Sequence, residues 1–332
     1  MAKKKDLEQR AKEKAIAFYR EMNAHCRNID KYSRNLTLLY AQNKLDEVYY
    51  RDTEAVNIQK ILLRKNKSNV LLTGRAGCGK TAIAERLASV FYAQCLEWCK
   101  QCIIAEDEYL KKRKEFDQDP EKFGYNEPEK EKIEPTGFAE AVLYDFSITT
   151  AIAGARYVGD TEERIGEVVK ECANNPNVIL FIDEIHTMMG AGAGDKSHND
   201  IAQILKPALA RSDIRVIGAT TTEEAEILFK DKALARRFNE IKVEPLSGSS
   251  ALETASKIMA DYSAYHKVDY ANVNFADILY KLKTFLPKSV FPDNFINIVD
   301  ETFAGAKFDN VEKIDMTHLN ATLSRMAGVV IL

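Results

Sequence analysis

Hydrophobic positions along the chain follow three successive patterns. Up to about residue 44 the chain is charged and helix-favouring, without Pro or Gly, and Ile16, Phe18, Tyr19 and Met22 form a weak apolar stripe. This pattern predicts a helical N-terminal arm, 1–44. From about 45 to 245 short, nearly continuous apolar runs take over, at 70–72, 141–144, 178–182, 215–219 and 241–243. Such runs suit parallel strands covered on both faces, and their alternation with helical stretches predicts an α/β fold with an open parallel sheet. After Pro245 and the Ser-Gly-Ser-Ser turn at 247–250, the pattern is helical to the end, broken near Leu286-Pro287 and Phe291-Pro292. A small helical domain is predicted over 246–332. No internal repeat is visible.

One stretch interrupts the sheet domain. Residues 91–137 begin as a helical extension carrying Cys95, Trp98, Cys99 and Cys102. They then become dense in Lys and Glu, with Pro120, Pro128 and Pro135 late in the segment. The expectation is a charged, solvated insertion. The three cysteines share one helical face by their spacing. Core packing explains them better than a metal site, which needs a fourth ligand, and no His lies nearby.

Two segments carry chemistry. Gly74-Arg75-Ala76-Gly77-Cys78-Gly79-Lys80-Thr81 matches G-x-x-x-x-G-K-[ST] in full, after a predicted strand and at the start of a helix. Glycines let backbone N–H groups curl around phosphates, and the helix N-terminus adds positive potential. Lys80 is expected to reach the β- and γ-phosphates of ATP, and the Thr81 hydroxyl to ligate Mg²⁺. About one hundred residues on, the run 178–182 delivers Asp183 and Glu184 at a strand's carboxyl end, where ligands bind in such sheets. Asp183 is expected to hold Mg²⁺ and Glu184 to polarise the attacking water. His186 fits a polar network better than catalysis. The run 215–219 ends in Thr220-Thr221-Thr222, whose hydroxyls suit a γ-phosphate or lytic water. Arg236 and Arg237 stand together before Phe238; taken alone they read as a solvated pair or a helix cap.

Charge and targeting narrow the classes. Forty-seven Lys and Arg against fifty Asp and Glu leave a net charge of −3, which argues against holding nucleic acid by bulk charge. No run of eighteen apolar residues exists, so no membrane span is predicted. The basic start is followed by Asp6, Glu8 and Arg10 rather than an apolar stretch; no export signal is read, and a cytoplasmic protein is expected.

With these motifs in order, the chain resembles the first ATPase module of the Clp-type AAA+ unfoldases, the ClpA, ClpB and ClpC group. The resemblance runs over roughly 31–331, apart from 91–137. Segments 31–37 and 44–48, the block 177–192, Leu205-Lys206-Pro207-Ala208-Leu209-Ala210-Arg211 and Gly218-Ala219-Thr220-Thr221 carry it. It implies an AAA+ large α/β domain over 45–245 with a helical lid, acting as an ATP-driven protein-remodelling motor. By resemblance, Val48 and Tyr49 contact adenine. Thr221 is the nucleotide sensor, with Thr220 the alternative because the spacing to the arginines is one residue off. Arg236 and Arg237 act in trans, which implies a homohexamer. Tyr157, in Arg156-Tyr157-Val158-Gly159, matches the pore loop that grips polypeptide, and 190–200 a second pore loop.

Departures from the family are also visible. A helical arm stands where the family has a globular N-terminal domain. Pro292-Asp293-Asn294 stands where the family has Pro-Asp-Lys, so a positive charge near the nucleotide is missing. The chain stops near 323–330, where a second ATPase module is expected, so docking to a Clp-type peptidase is unsupported. Either a natural single-ring protein or a fragment is expected. Two other functions fit fewer residues: a nucleotide-dependent regulatory scaffold or adaptor with little turnover, and a nucleic-acid-handling AAA+ switch.

Overall fold

A computed structural model describes residues 2–123, 126–153, 158–189, 204–209 and 213–331. Six strands form one sheet: β1 (Ser33–Asn35), β2 (Asn69–Thr73), β3 (Val142–Phe146), β4 (Val178–Ile182), β5 (Arg215–Thr220) and β6 (Phe238–Lys242), in the spatial order β1-β3-β4-β5-β2-β6. All neighbours are parallel except β1, which runs antiparallel along the edge of β3. From β1 at one edge the chain crosses to β2, next to the far edge strand β6, and later places β5 between β2 and β4. The two acidic and phosphate-loop segments therefore leave neighbouring regions of one sheet end.

The apolar runs make strands because the pleat sends successive side chains to opposite faces and both faces are covered. Leu71, Val142, Tyr144, Leu180, Ile182 and Val216 pack on one side. Val70, Leu72, Leu143, Ile179, Phe181, Ile217 and Ala219 pack on the other. The second face lies under the helix Asp52–Leu62 and the first half of the helix Lys80–Gln118, through Ile58, Ile83, Leu87 and Phe91. A third cluster, built around Phe295, Ile298 and Phe303, joins the helices Gly248–His266, Phe275–Phe285, Asp293–Phe308 and Met316–Ala327. They are accompanied by a two-stranded parallel sheet of β7 (Asp269–Tyr270) and β8 (Lys313–Ile314).

Two segments differ from expectation. Residues 33–41, expected in the arm, supply the edge strand β1 and the short helix Leu36–Ala41. The segment expected as a solvated insertion from Glu106 onwards stays helical to Gln118, in one helix of 39 residues. The N-terminal helix Ala2–His25 accounts for this. Its Ala11, Ala15 and Tyr19 are fully buried and share a cluster with Cys95, Cys99 and Ile103, and Arg10 donates to both carboxylate oxygens of Asp107 at 2.8 Å. Trp98 Nε1 donates to the Ile133 carbonyl at 3.0 Å, pinning the return segment to the long helix. Cys95 and Cys99 are free, buried thiols. Among the described residues no group of three possible metal ligands includes a cysteine, and no helix is long and apolar enough to cross a membrane.

Candidate nucleotide site

The phosphate loop closes at three glycines for separate reasons. A Cβ on Gly74 would lie 2.3 Å from the Val243 carbonyl oxygen. Gly77 and Gly79 take φ values of 76° and 93°, conformations that L side chains rarely adopt. Cys78 is fully buried beneath the loop, and burial raises its thiol pKa. Lys80, 8% exposed, folds back over the loop, and its Nζ donates to the carbonyls of Gly74 at 2.9 Å and Arg75 at 3.2 Å.

Arg51, absent from the residues expected at the site, fixes the loop from below. It is 3% exposed. Its guanidinium donates to the Cys78 carbonyl, to the Glu244 carbonyl at 3.1 Å and to Glu54 at 2.7 Å. A buried arginine so bonded joins the segment before the first sheet helix, the loop and the exit from β6. Arg75 points elsewhere: it donates to the carbonyls of Pro287 and Lys288 at 3.1 and 3.4 Å, tethering the loop to the helical unit. Ala76 is exposed at the loop tip.

The two motifs meet. The Thr81 hydroxyl donates to Asp183 Oδ2 at 2.7 Å. Both groups are hard oxygens beside a loop of backbone N–H donors, the donor set that Mg²⁺ takes. Glu184 is exposed and holds a φ of 51°, a strained backbone that turns its carboxylate out of the β4 line.

Behind Glu184 lies a network at the end of β5. His186, 7% exposed, places Nδ1 2.9 Å from Thr220 Oγ1 and 3.2 Å from Glu224, and Nε2 3.5 Å from Glu184. Thr220 is fully buried and also donates to Glu224 at 3.2 Å. Thr221 is spent on the helix Thr222–Lys230: its hydroxyl accepts from the Glu224 amide while its own backbone N–H donates to the Glu224 carboxylate, a capping box, and the hydroxyl also donates to that carboxylate. Although burial raises it, these bonds from Thr221, with His186 and Thr220, bring the Glu224 carboxyl below its usual pKa.

Val48 and Tyr49 are half-buried, and Lys257 of the helical unit sits 4.1 Å above the Tyr49 ring. Burial, with Asp261 and Glu47, pushes the Tyr49 phenol up to about 12. The helix Asp293–Phe308 begins against the loop, where a Cβ on Gly77 would meet that of Asp293 at 2.6 Å. Asn294 beside it is 5% exposed, with its side-chain Oδ1 unpartnered.

Arg236 and Arg237 follow the short helix Lys232–Ala235, with Arg236 at its C-cap. Neither side chain makes a hydrogen bond or ion pair among the described residues. Both precede β6, which runs parallel to β2 with Asn69 opposite Phe238. They therefore sit at the sheet end opposite the phosphate loop. Five strand residues at about 3.3 Å each separate the two ends by roughly 16 Å. The chain's own arginines do not share a phosphate with its own loop. Tyr157 and the stretch 190–200 lie outside the described residues.

Comparison with known proteins decides the family. The sequence pattern of the "ATPase family associated with various cellular activities (AAA)" matches residues 70–246, more than half of the chain. The chain belongs to the AAA family of ATPases. ATP is accordingly the nucleotide of the loop. The chaperone protein ClpB of Helicobacter hepaticus is 36% identical over 281 residues, 84% of this chain and 28% of that protein. ClpB of Malacoplasma penetrans is 34% identical over 282 residues, 84% of this chain and 35% of that protein. Among solved structures, the S. cerevisiae Hsp104–ADP complex matches with a TM-score of 0.70 and 32% identity, over 91% of this chain and 46% of that one. Hsp104 with ATPγS and FITC casein, in a closed state, gives 0.68 and 30%, over 91% and 45%. These likenesses bear out the Clp-type resemblance. The chain spans about a third of the length of these curated relatives and under half of the solved chains.

Proposed function

We propose that the chain is the ATP-hydrolysing unit of a ring-shaped protein-remodelling motor of the Clp type. The observation that carries this reading is the pairing of a complete hydrolytic set at one sheet end with unpaired arginines at the other. On binding ATP, Lys80 exchanges the Gly74 and Arg75 carbonyls for the β- and γ-phosphates. Thr81 and Asp183 hold Mg²⁺, which supplies charge neutralisation on the phosphates. Glu184 takes a proton from water as the water oxygen bonds to the γ-phosphorus. The bond from that phosphorus to the β–γ bridging oxygen breaks, and its electron pair leaves with ADP. Val48 and Tyr49 face the adenine.

Thr220 and His186 position Glu184; the resemblance assigns the sensor to Thr221, but its hydroxyl serves the helix cap, which supports Thr220 for the linking role. Arg236 and Arg237 act on the nucleotide of a neighbouring copy in a homohexamer, an assembly that the family resemblance supports. The Tyr157 loops then grip polypeptide in the central channel. Relatives solved with casein support a polypeptide substrate. The acidic net charge disfavours nucleic acid as the threaded polymer. Reduced thiols support a cytoplasmic setting.

Steady-state ATPase rates with and without casein test the proposal. Casein is expected to stimulate wild type, Glu184→Gln to lower turnover about a hundredfold to a thousandfold, and Tyr157→Ala to remove only the stimulation. Nucleotide binding without turnover above the Glu184→Gln level would reject the motor in favour of a nucleotide-dependent scaffold.

A further inference from the structure

Two arginines do not exhaust the positive charge at the amino end of the sheet. A cavity of about 410 Å³ is lined by Arg236, Arg237, Ala233, Leu234, Lys206 and Lys67. Lys206 is matched within the chain, its Nζ 2.6 Å from Asp231. The side chains of Arg236, Arg237 and Lys67 make no hydrogen bond or ion pair among the described residues. Three unpaired cations on one concavity repel one another and attract an anion.

Lys67 is held at this cavity by the backbone. Its φ is 56°, in the left-handed region. The Asn239 amide fixes that turn by donating to the carbonyls of Lys67 and, at 3.2 Å, Asn69. Asn239 is held in turn by Arg64, which donates to its Oδ1 at 2.7 Å. Asn239 lies two residues after Arg237, so the β6 lead-in that carries the arginines also sets the turn that carries Lys67. The β2–β6 register, with Asn69 opposite Phe238, extends backwards to bring Lys67 level with the arginines. Lys67 is thus linked covalently to one nucleotide's loop, through β2, while sitting a strand length away from it.

We infer that this cavity is a polyphosphate site completed by a second copy, and that Lys67 is a third contact in trans. Its ammonium meets the phosphate chain of the nucleotide held in the neighbouring copy's loop. The inference rests on the ring assembly proposed above. The chemistry suits the occupant: two guanidinium forks and one compact ammonium match the several oxygens of a triphosphate. Because Lys67 reaches its own phosphate loop through β2 alone, it also links the occupancy of one site to the frame of the next.

Subunit mixing tests this. Lys67→Gln is expected to lower kcat about tenfold to a hundredfold, with ring assembly intact by sedimentation velocity. Affinity of the dilute, unassembled protein for a fluorescent ATP analogue is expected to stay unchanged, and Lys67→Arg to retain most of the rate. Lys67→Gln chains keep Glu184, and Glu184→Gln chains keep Lys67, so a one-to-one mixture is expected to exceed the mean of the two separate rates. The same mixture with Arg237→Ala in place of Lys67→Gln serves as the control for the ring itself. Recovery with Arg237→Ala but not with Lys67→Gln overturns the role of Lys67 and leaves the ring standing. A wild-type rate for Lys67→Gln also overturns it. No recovery in either mixture rejects the shared-site ring, and the inference with it.

Discussion

The two ends of β2 and β6 treat their cations in opposite ways. At the carboxyl end, Lys80, Arg75 and Arg51 all donate to carbonyl oxygens of their own chain, and Thr81 donates to Asp183. At the amino end Arg64 and Lys206 are bonded within the chain, but Arg236, Arg237 and Lys67 have no side-chain partner among the described residues. The first end is self-contained: its cations are already bonded within the chain before any ligand arrives, so a single chain is expected to bind nucleotide. On the function proposed above, the second end is completed by the negative charge of another copy's nucleotide. An unpaired arginine pair in isolation says little. A pair a strand length from the nearest phosphate loop of its own chain supports the proposal of a site shared with another copy.

The largest effect expected from breaking this contrast is at the open end. Arg237→Ala should lower turnover about a thousandfold or more with nucleotide affinity kept, as read by phosphate release and by titration with a fluorescent ATP analogue. Glu184→Gln comes next, with a loss of about a hundredfold to a thousandfold and unchanged ATP binding. His186→Ala should cost roughly tenfold to a hundredfold in kcat with little change in KM, because it moves Glu184 without touching the loop; equal losses in kcat for His186→Ala and Glu184→Gln would make His186 part of the chemistry.

The closed end is sharpened by stability rather than rate. Arg51→Ala strands the buried carbonyls of Cys78 and Glu244 and should cost about 2–4 kcal/mol, measured as a lower denaturant midpoint at unchanged m-value, with weaker nucleotide binding alongside. Thr221→Ala should be smallest, about 1 kcal/mol from the lost cap, with a near-normal kcat. A larger kcat loss for Thr221→Ala than for Thr220→Val would restore Thr221 as the sensor.

The closed end was largely legible in the sequence because its parts are contiguous. Gly74 to Thr81 is one motif, and Asp183 and Glu184 follow an uninterrupted apolar run. Legibility failed where a role depends on tertiary register. Arg51 is a single arginine before a helix, and nothing in its neighbours marks the two carbonyls it will meet. Thr220 and Thr221 differ only in where β5 stops and the next helix is capped. Lys67 sits in a lysine-rich stretch that reads as solvent-facing until β2 is paired with β6. In the fold, the same limit applied to β1, three residues paired with β3 more than one hundred positions away. It applied again to the long helix, whose second half is polar enough to read as a solvated insertion. Its first half is buried by the alanines and Tyr19 of the N-terminal helix, and Arg10 ties down its continuation at Asp107. Cys95, Cys99 and Ile103 then make sense as the receiving face.

The contrast between the two ends reduces to one question: whether a chain alone can turn over ATP. Turnover per chain, measured across protein concentrations that span assembly as followed by sedimentation velocity, answers it. A low rate is expected for the dilute, unassembled chain, with a rise that tracks ring formation and is absent in Arg237→Ala. A rate per chain that stays constant from the unassembled to the assembled state would contradict it.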